Sequence, residues 1–280
     1  MSSTTPDVSA LYGTHPDRRI TLRDLQEATQ RGERWPVITA YDALTAAVFE
    51  EAGVPALLVG DSAAMVVYGH ETTLPVSVGD LEALVRAVVR GTRRALVIAD
   101  LPFGSYQGSV AQAMETAATF MKSGAQAVKL EGGSSVVPQV EALTAAGIPV
   151  IGHIGLTPQS VNALGGYRVQ GRGEHGELLM AEARALETAG AAAIVLELVP
   201  GELGARISDE LDIPTIGIGA GGGTDAQVIV WQDLLGLTAE PRPRFVRAYA
   251  DLRTTMRDAV AAWSDDVRTG SYPASEHTYS

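Results

Sequence analysis

The sequence predicts an α/β chain of the (β/α)8 TIM barrel class, with one extra helix ahead of the barrel. Three observations carry this. Eight short apolar, β-branched runs recur along the chain. Most gaps between them have helical periodicity, and several helical stretches stop at a glycine just before the next run. A chain of 280 residues has the usual length of one such barrel. A doubly wound open sheet is the alternative, because strand count alone does not show closure.

The elements follow in order. Residues 1–19 read as a flexible lead-in, and Met1–Asp7 is polar without the apolar core of a secretory signal. Thr21 then caps a first helix, with Asp24 as a carboxylate partner in the capping box, and the helix runs to about Glu33. The strands are expected at Val37–Ala40, Ala56–Val59, Ala95–Ala99, Ala127–Leu130, Pro149–Gly152, Ala192–Leu196, Pro214–Ile218 and Val228–Trp231. Helices are expected over Val78–Arg90, Val110–Lys122, Gly176–Thr188 and Glu202–Leu211. Gly53, Gly91, Gly124, Gly147 and Gly190 stand where left-handed helix caps belong. The seventh gap is too short for a full helix. A long amphipathic stretch, Pro243–Val267, would be the last helix. The barrel is expected to occupy 20–270 as one domain, with 271–280 as a loose tail.

Composition sets limits. Lys plus Arg is 21 and Asp plus Glu is 33, a net charge of −12. So acidic a chain is a poor partner for nucleic acid or an anionic membrane. With no cysteine, disulfides, thiolate zinc and cysteine nucleophiles are excluded. No apolar run is long enough to span a bilayer. A cytoplasmic enzyme is the expectation.

The strand ends carry the chemistry. Successive runs finish at Asp61-Ser62, at Asp100, at Lys129-Leu130-Glu131, at His153 and at Glu197. In a barrel these ends converge on the face that holds active sites. A strand is a costly place for an unpaired charge, so these groups pair with one another or bind something. Lys129 and Glu131 are two apart and share a side of their strand. One lysine among three carboxylates leaves a divalent metal as the natural counter-charge, and oxygen donors favour a hard ion such as Mg²⁺. His153 is a ligand, a donor to substrate or a satisfied core histidine. Glu197 has wholly apolar flanks, where desolvation would make it a strong base.

Two glycine-rich stretches read less sharply. Gly217–Gly222 matches G-x-G-x-x-G, but it comes late, and no helix or ribose-binding acid follows. It is better read as a loop allowing close backbone approach at the barrel mouth. The polar loops 155–173 and 68–73 have the character of lids.

At these same places the sequence resembles the ketopantoate hydroxymethyltransferase family. The stretches are Thr39–Asp42, Leu58–Ser62, Gly69–Pro75, Ala99–Phe103, Val128–Gly133, Gly152–Ser160, Gly165–Gly173, Ile216–Gly221 and Tyr272–His277. They cover most of the chain from about Arg19, and the loop 222–226 departs from the family's usual string. The resemblance implies a barrel of the phosphoenolpyruvate/pyruvate superfamily type. It implies hydroxymethyl transfer from 5,10-methylenetetrahydrofolate to 3-methyl-2-oxobutanoate, giving 2-dehydropantoate on the way to pantothenate and coenzyme A. Its residues map here to Mg²⁺ on Asp61, Asp100 and Glu131. The keto acid is held by the metal side, Ser62 and Lys129, with His153 a further candidate. Glu197 is the proton acceptor that makes the enolate. Large homo-oligomers, commonly decamers, are implied as well. A Mg²⁺-dependent lyase or mutase without folate, and a non-catalytic metabolite-binding barrel, are the rival functions.

Overall fold

The computed structural model describes Leu11 and residues 18–279; apart from Leu11, Arg18 and Arg19, the lead-in lies outside the described residues. Eight parallel strands pair each with the next, and β8 pairs back onto β1, so the sheet is a closed barrel. This settles the choice against an open sheet. In chain order the first unit holds α1 (Leu22–Gln30), β1 (Trp35–Thr39), α2 (Ala43–Glu51), β2 (Ala56–Val59), α3 (Ala63–Val66) and α4 (Val78–Gly91). It continues with β3 (Leu96–Asp100), α5 (Val110–Lys122), β4 (Ala127–Glu131), α6 (Val137–Ala145), β5 (Val150–Gly155) and α7 (Val161–Leu164). It ends with α8 (His175–Thr188), β6 (Ala193–Glu197), α9 (Gly201–Glu210), β7 (Thr215–Ile218) and β8 (Ala226–Ile229).

Alternation along each strand sorts the side chains. Leu58, Ile98, Ala127, Ile151, Val195 and Ile216 belong to one buried cluster inside the barrel. Two residues further along the same faces stand Asp100, Lys129, His153 and Glu197. On β3, β4, β5 and β6 the inward column is therefore apolar below and polar at the carboxyl end of the strand. The opposite end is closed by α1, whose Leu25 and Ala28 join the same cluster with Ile20. The capping box forms as expected, with the Thr21 hydroxyl and Asp24 carboxylate each bonded to the other's main chain.

Four of the five expected glycine caps have positive φ: Gly53, Gly124, Gly147 and Gly190. Gly91 differs. It is the last residue of α4, and a methyl there would stand 2.3 Å from the Ala43 carbonyl oxygen. It lets α4 lie against the start of α2. The eighth strand lies two residues earlier than its apolar run suggested.

The chain from Val230 onward forms a second compact unit. It contains α10 (Trp231–Leu234) and α11 (Leu252–Thr269). The helix expected from Pro243 begins only at Leu252, where the Asp251 carboxylate caps Thr254 N–H. Among the described residues no helix is long and apolar enough to cross a membrane.

Candidate active site

Strand register brings the predicted residues together. Asp100 on β3 is paired with Lys129 on β4, and Glu131 on β4 with His153 on β5. Gly155 on β5 is paired with Glu197 on β6. Paired residues of parallel strands project to the same side, so these groups line one inner ring. Asp61, just past β2, joins it through its main-chain N–H, which donates to Asp100 Oδ2 at 3.3 Å.

Lys129 is the centre of charge. Its Nζ donates to both oxygens of Asp100, at 2.8 and 2.7 Å, and lies 3.7 Å from Glu131 Oε1. Burial opposes its charge, but Asp100, Glu131 and Asp61 outweigh burial and raise its pKa. Burial drives Asp61 well above the usual carboxylate range, reinforced by Asp100 and Glu131. Asp100 is also raised by burial, against the pull of Lys129. Glu131 is lowered despite burial, because His153, Lys129 and the Gln159 N–H stabilise its charge. Three buried carboxylates thus share one ammonium.

That imbalance suits a hard divalent cation. Glu131 Oε1 is buried without a hydrogen-bond donor. Among the described residues no three His, Cys, Asp or Glu side chains are placed to hold an ion by themselves. Mg²⁺ commonly takes only one or two carboxylates and completes its octahedron with water and substrate oxygens. The donor set fits an ion of that kind.

His153 is buried between two carboxylates, with Nδ1 3.5 Å from Glu131 Oε1 and Nε2 3.3 Å from Glu197 Oε2. Burial and Lys129 oppose its protonation, yet the two carboxylates lift its pKa to about 9. Glu197 keeps 16% of its side-chain surface, against 2% for Asp100 and Glu131. It is the carboxylate of the ring that a substrate can reach. Leu198, the next residue, has φ +48. A branched-chain residue in that region is strained by about 1–3 kcal/mol, and such strain gathers at functional turns. Ser62 meets Tyr41, hydroxyl to hydroxyl, at 2.8 Å.

A family model described as ketopantoate hydroxymethyltransferase matches residues 19–275. The chain belongs to that family. A 3-methyl-2-oxobutanoate hydroxymethyltransferase of Frankia alni is 63% identical over 278 residues, covering 97% of this chain and 92% of its own. The enzyme of the same description from Thermobifida fusca is 59% identical, with 100% of both chains covered. Among solved structures, phosphonopyruvate hydrolase superposes with a TM-score of 0.59 at 15% identity, over 92% of this chain and 93% of that one. A 2,3-dimethylmalate lyase of the PEP mutase/isocitrate lyase superfamily gives 0.58 at 19%, over 93% and 92%. At such identities they show the shared barrel.

In this member of the ketopantoate hydroxymethyltransferase family, sequence reasoning missed Tyr106 and Gln159. Tyr106 Oη lies 2.9 Å from Glu131 O and accepts from Glu131 N–H at 3.1 Å. Gln159 reaches both Asp61 and Glu131. Both sit in loops, where no periodicity marks an inward side chain. The loop 156–173 is partly helical, through α7, and carries Tyr167, whose Oη lies 4.0 Å from Met65 Sδ. Burial and then Glu197, Asp61 and Glu131 raise the Tyr167 pKa. The glycines after β7 serve the chain itself: a methyl on Gly221 would stand 2.8 Å from Gly201 Cα in α9. No helix opens between β7 and β8.

Proposed function

We propose that this chain transfers a hydroxymethyl group from 5,10-methylenetetrahydrofolate to 3-methyl-2-oxobutanoate, with Mg²⁺ at the carboxylate ring. The observation that carries the proposal is the contrast within the ring: Glu197 is partly exposed and its ion-pair neighbour is His153, while the other carboxylates are buried around Lys129. The description shared by the relatives supports the choice of substrate.

Asp61, Asp100 and Glu131 would hold the ion. When bound, Mg²⁺ supplies a Lewis acid for the keto acid's carbonyl. Lys129 offsets negative charge on the substrate, and Ser62 offers it a hydroxyl. Glu197 takes the proton from the branched carbon beside the carbonyl. The electron pair left there forms the bond to the folate's methylene carbon, whose two C–N bonds break in turn. Water supplies the new hydroxyl, and the substrate's proton and one from water end on the two nitrogens of the departing tetrahydrofolate. His153, with both nitrogens turned to carboxylates, orients Glu197 rather than gripping the substrate.

The test is proton exchange at that carbon, followed by NMR in D2O with Mg²⁺ and no folate. Glu197→Gln is expected to lose exchange while keto-acid binding stays within a few-fold. Undiminished exchange in the variant removes Glu197 from the role. Adding methylenetetrahydrofolate to the parent enzyme should convert exchange into net consumption of keto acid. A folate-independent lyase or mutase would consume it without the folate.

A further inference from the structure

Gln159 follows β5 in the turn Pro158–Ser160, and its side chain is buried. Its Nε2 donates to Asp61 Oδ2 and to Leu101 O, both at 2.9 Å. Both partners are acceptors, so the NH2 group must face them, and the orientation of the amide follows from chemistry. Its Oε1 meets Tyr106 Oη at 2.8 Å and Gln107 Nε2 at 3.1 Å. Its main-chain N–H donates to Glu131 Oε2 at 2.9 Å. One residue therefore ties one oxygen of each of two carboxylates that come from different strands. Glu131 Oε1 is buried without a hydrogen-bond donor, and Gln159 leaves Asp61 Oδ1 unengaged.

We propose that Gln159 is a positioning residue that fixes which oxygens of Asp61 and Glu131 are offered to the divalent ion, and so favours a small octahedral ion over a larger one. The reason is denticity. An N–H bonded to one oxygen fixes the carboxylate's orientation and draws on that oxygen's charge, which disfavours a bidentate grip and leaves the other oxygen as the better donor to a metal. Ca²⁺ uses six to eight oxygens and readily takes carboxylates in bidentate fashion, whereas Mg²⁺ demands an octahedron at shorter distance. Holding both carboxylates monodentate penalises the larger ion. This rests on the metal reading above. A residue that only anchored its loop would lower stability when removed and leave ion preference alone.

The experiment measures Mn²⁺ binding by calorimetry on the full chain without substrate, with Mg²⁺ and Ca²⁺ as competitors. Gln159→Met keeps the volume and removes the amide. Outer-shell partners of metal ligands are commonly worth 10–100-fold in affinity, so a loss of Mn²⁺ affinity of about that size is expected. The preference for Mg²⁺ over Ca²⁺ should shrink by about tenfold, on the same grounds. Gln107→Leu, which removes one donor to Oε1 from the exposed side, should move both quantities the same way by less. It serves as the test if Gln159→Met does not fold. A Mg²⁺ to Ca²⁺ ratio unchanged from the parent overturns the inference, whatever happens to stability. A parent chain that binds no Mn²⁺ overturns the metal reading as well. Parent binding with unaltered variants overturns the role of Gln159 alone.

Discussion

Gly155 is where β5 touches the backbone that carries Glu197. Its φ is +92, and a methyl there would stand 2.3 Å from the Glu197 carbonyl oxygen and 2.9 Å from Val199 Cγ1. Leu156 N–H also donates to that carbonyl at 2.8 Å, so the oxygen is held from both sides. Gly155→Ala would therefore have two effects. The backbone conformation alone costs an alanine roughly 1–2 kcal/mol. The contact must then open by about 1 Å to reach van der Waals distance, and because the atom met is backbone, the end of β6 has to move. A displacement of about 1 Å at a reacting group can cost roughly 100-fold in rate. Gly53→Ala separates the two effects. Gly53 has φ +87 and nothing within 4 Å of the added methyl, so it carries the conformational cost without the collision. Urea unfolding and keto-acid proton exchange are measured on both variants. Similar stability losses are expected, somewhat larger at 155, with exchange reduced about 100-fold at 155 and unchanged at 53. Equal exchange rates in the two variants would show that β6 accommodates the methyl without moving Glu197, and would refute the reasoning.

Two further outcomes follow from the same structure. Lys129→Met leaves the buried Asp100, Asp61 and Glu131 without their ammonium. Breaking a buried pair commonly costs about 3–5 kcal/mol, to be read as a lower urea midpoint in chelator; a loss below about 1 kcal/mol would mean the carboxylates do not depend on Lys129. Asp24 tests acid stability. Burial opposes its charge, but Arg18 and Thr21 hold its pKa at about 2 against an ordinary 3.8. A lowered folded pKa gives stability that is complete above the unfolded value and is lost as pH falls through the folded one. Arg18 is half exposed, so the full shift is discounted to about 1–2 kcal/mol. Asp24→Asn should be less stable by that amount at pH 7, with the gap closing between about pH 4 and pH 2; a gap constant with pH would assign it to the cap geometry alone.

Much of this was legible because barrel strands write their own ends. Runs such as Val195-Leu196-Glu197 end in charge only where a strand leaves the core, and Lys129 and Glu131 declare a shared face by spacing alone. Register was not legible. Nothing in the strings says that Asp100 stands opposite Lys129 rather than one residue off, so the sequence left open which carboxylate the lysine serves. His153 stayed ambiguous for the same reason, since its two partners lie on β4 and β6. Gln159 was invisible because a loop amide has neither period nor charge, and its value comes from partners roughly 30 and 100 residues away in sequence. The glycines divided by what they approach: Gly53 needs only its left-handed turn, while Gly91 and Gly221 are small because another backbone passes beside them.

The pairing of β8 with β1 has a consequence in time. Trp35 waits for Ala226, roughly 190 residues later in the chain (226 minus 35). At ribosomal rates of about 5–20 residues per second, that interval is about 10–40 s. Throughout it β1 presents an unpaired parallel edge, a template for pairing with other chains. Closure also brings together ends separated by most of the protein, which makes it a slow kind of contact to form. The nascent chain is thus most vulnerable just before its shortest interstrand loop, 219–225, delivers the last strand. Substitutions that slow that final step should lower soluble yield without altering the finished enzyme.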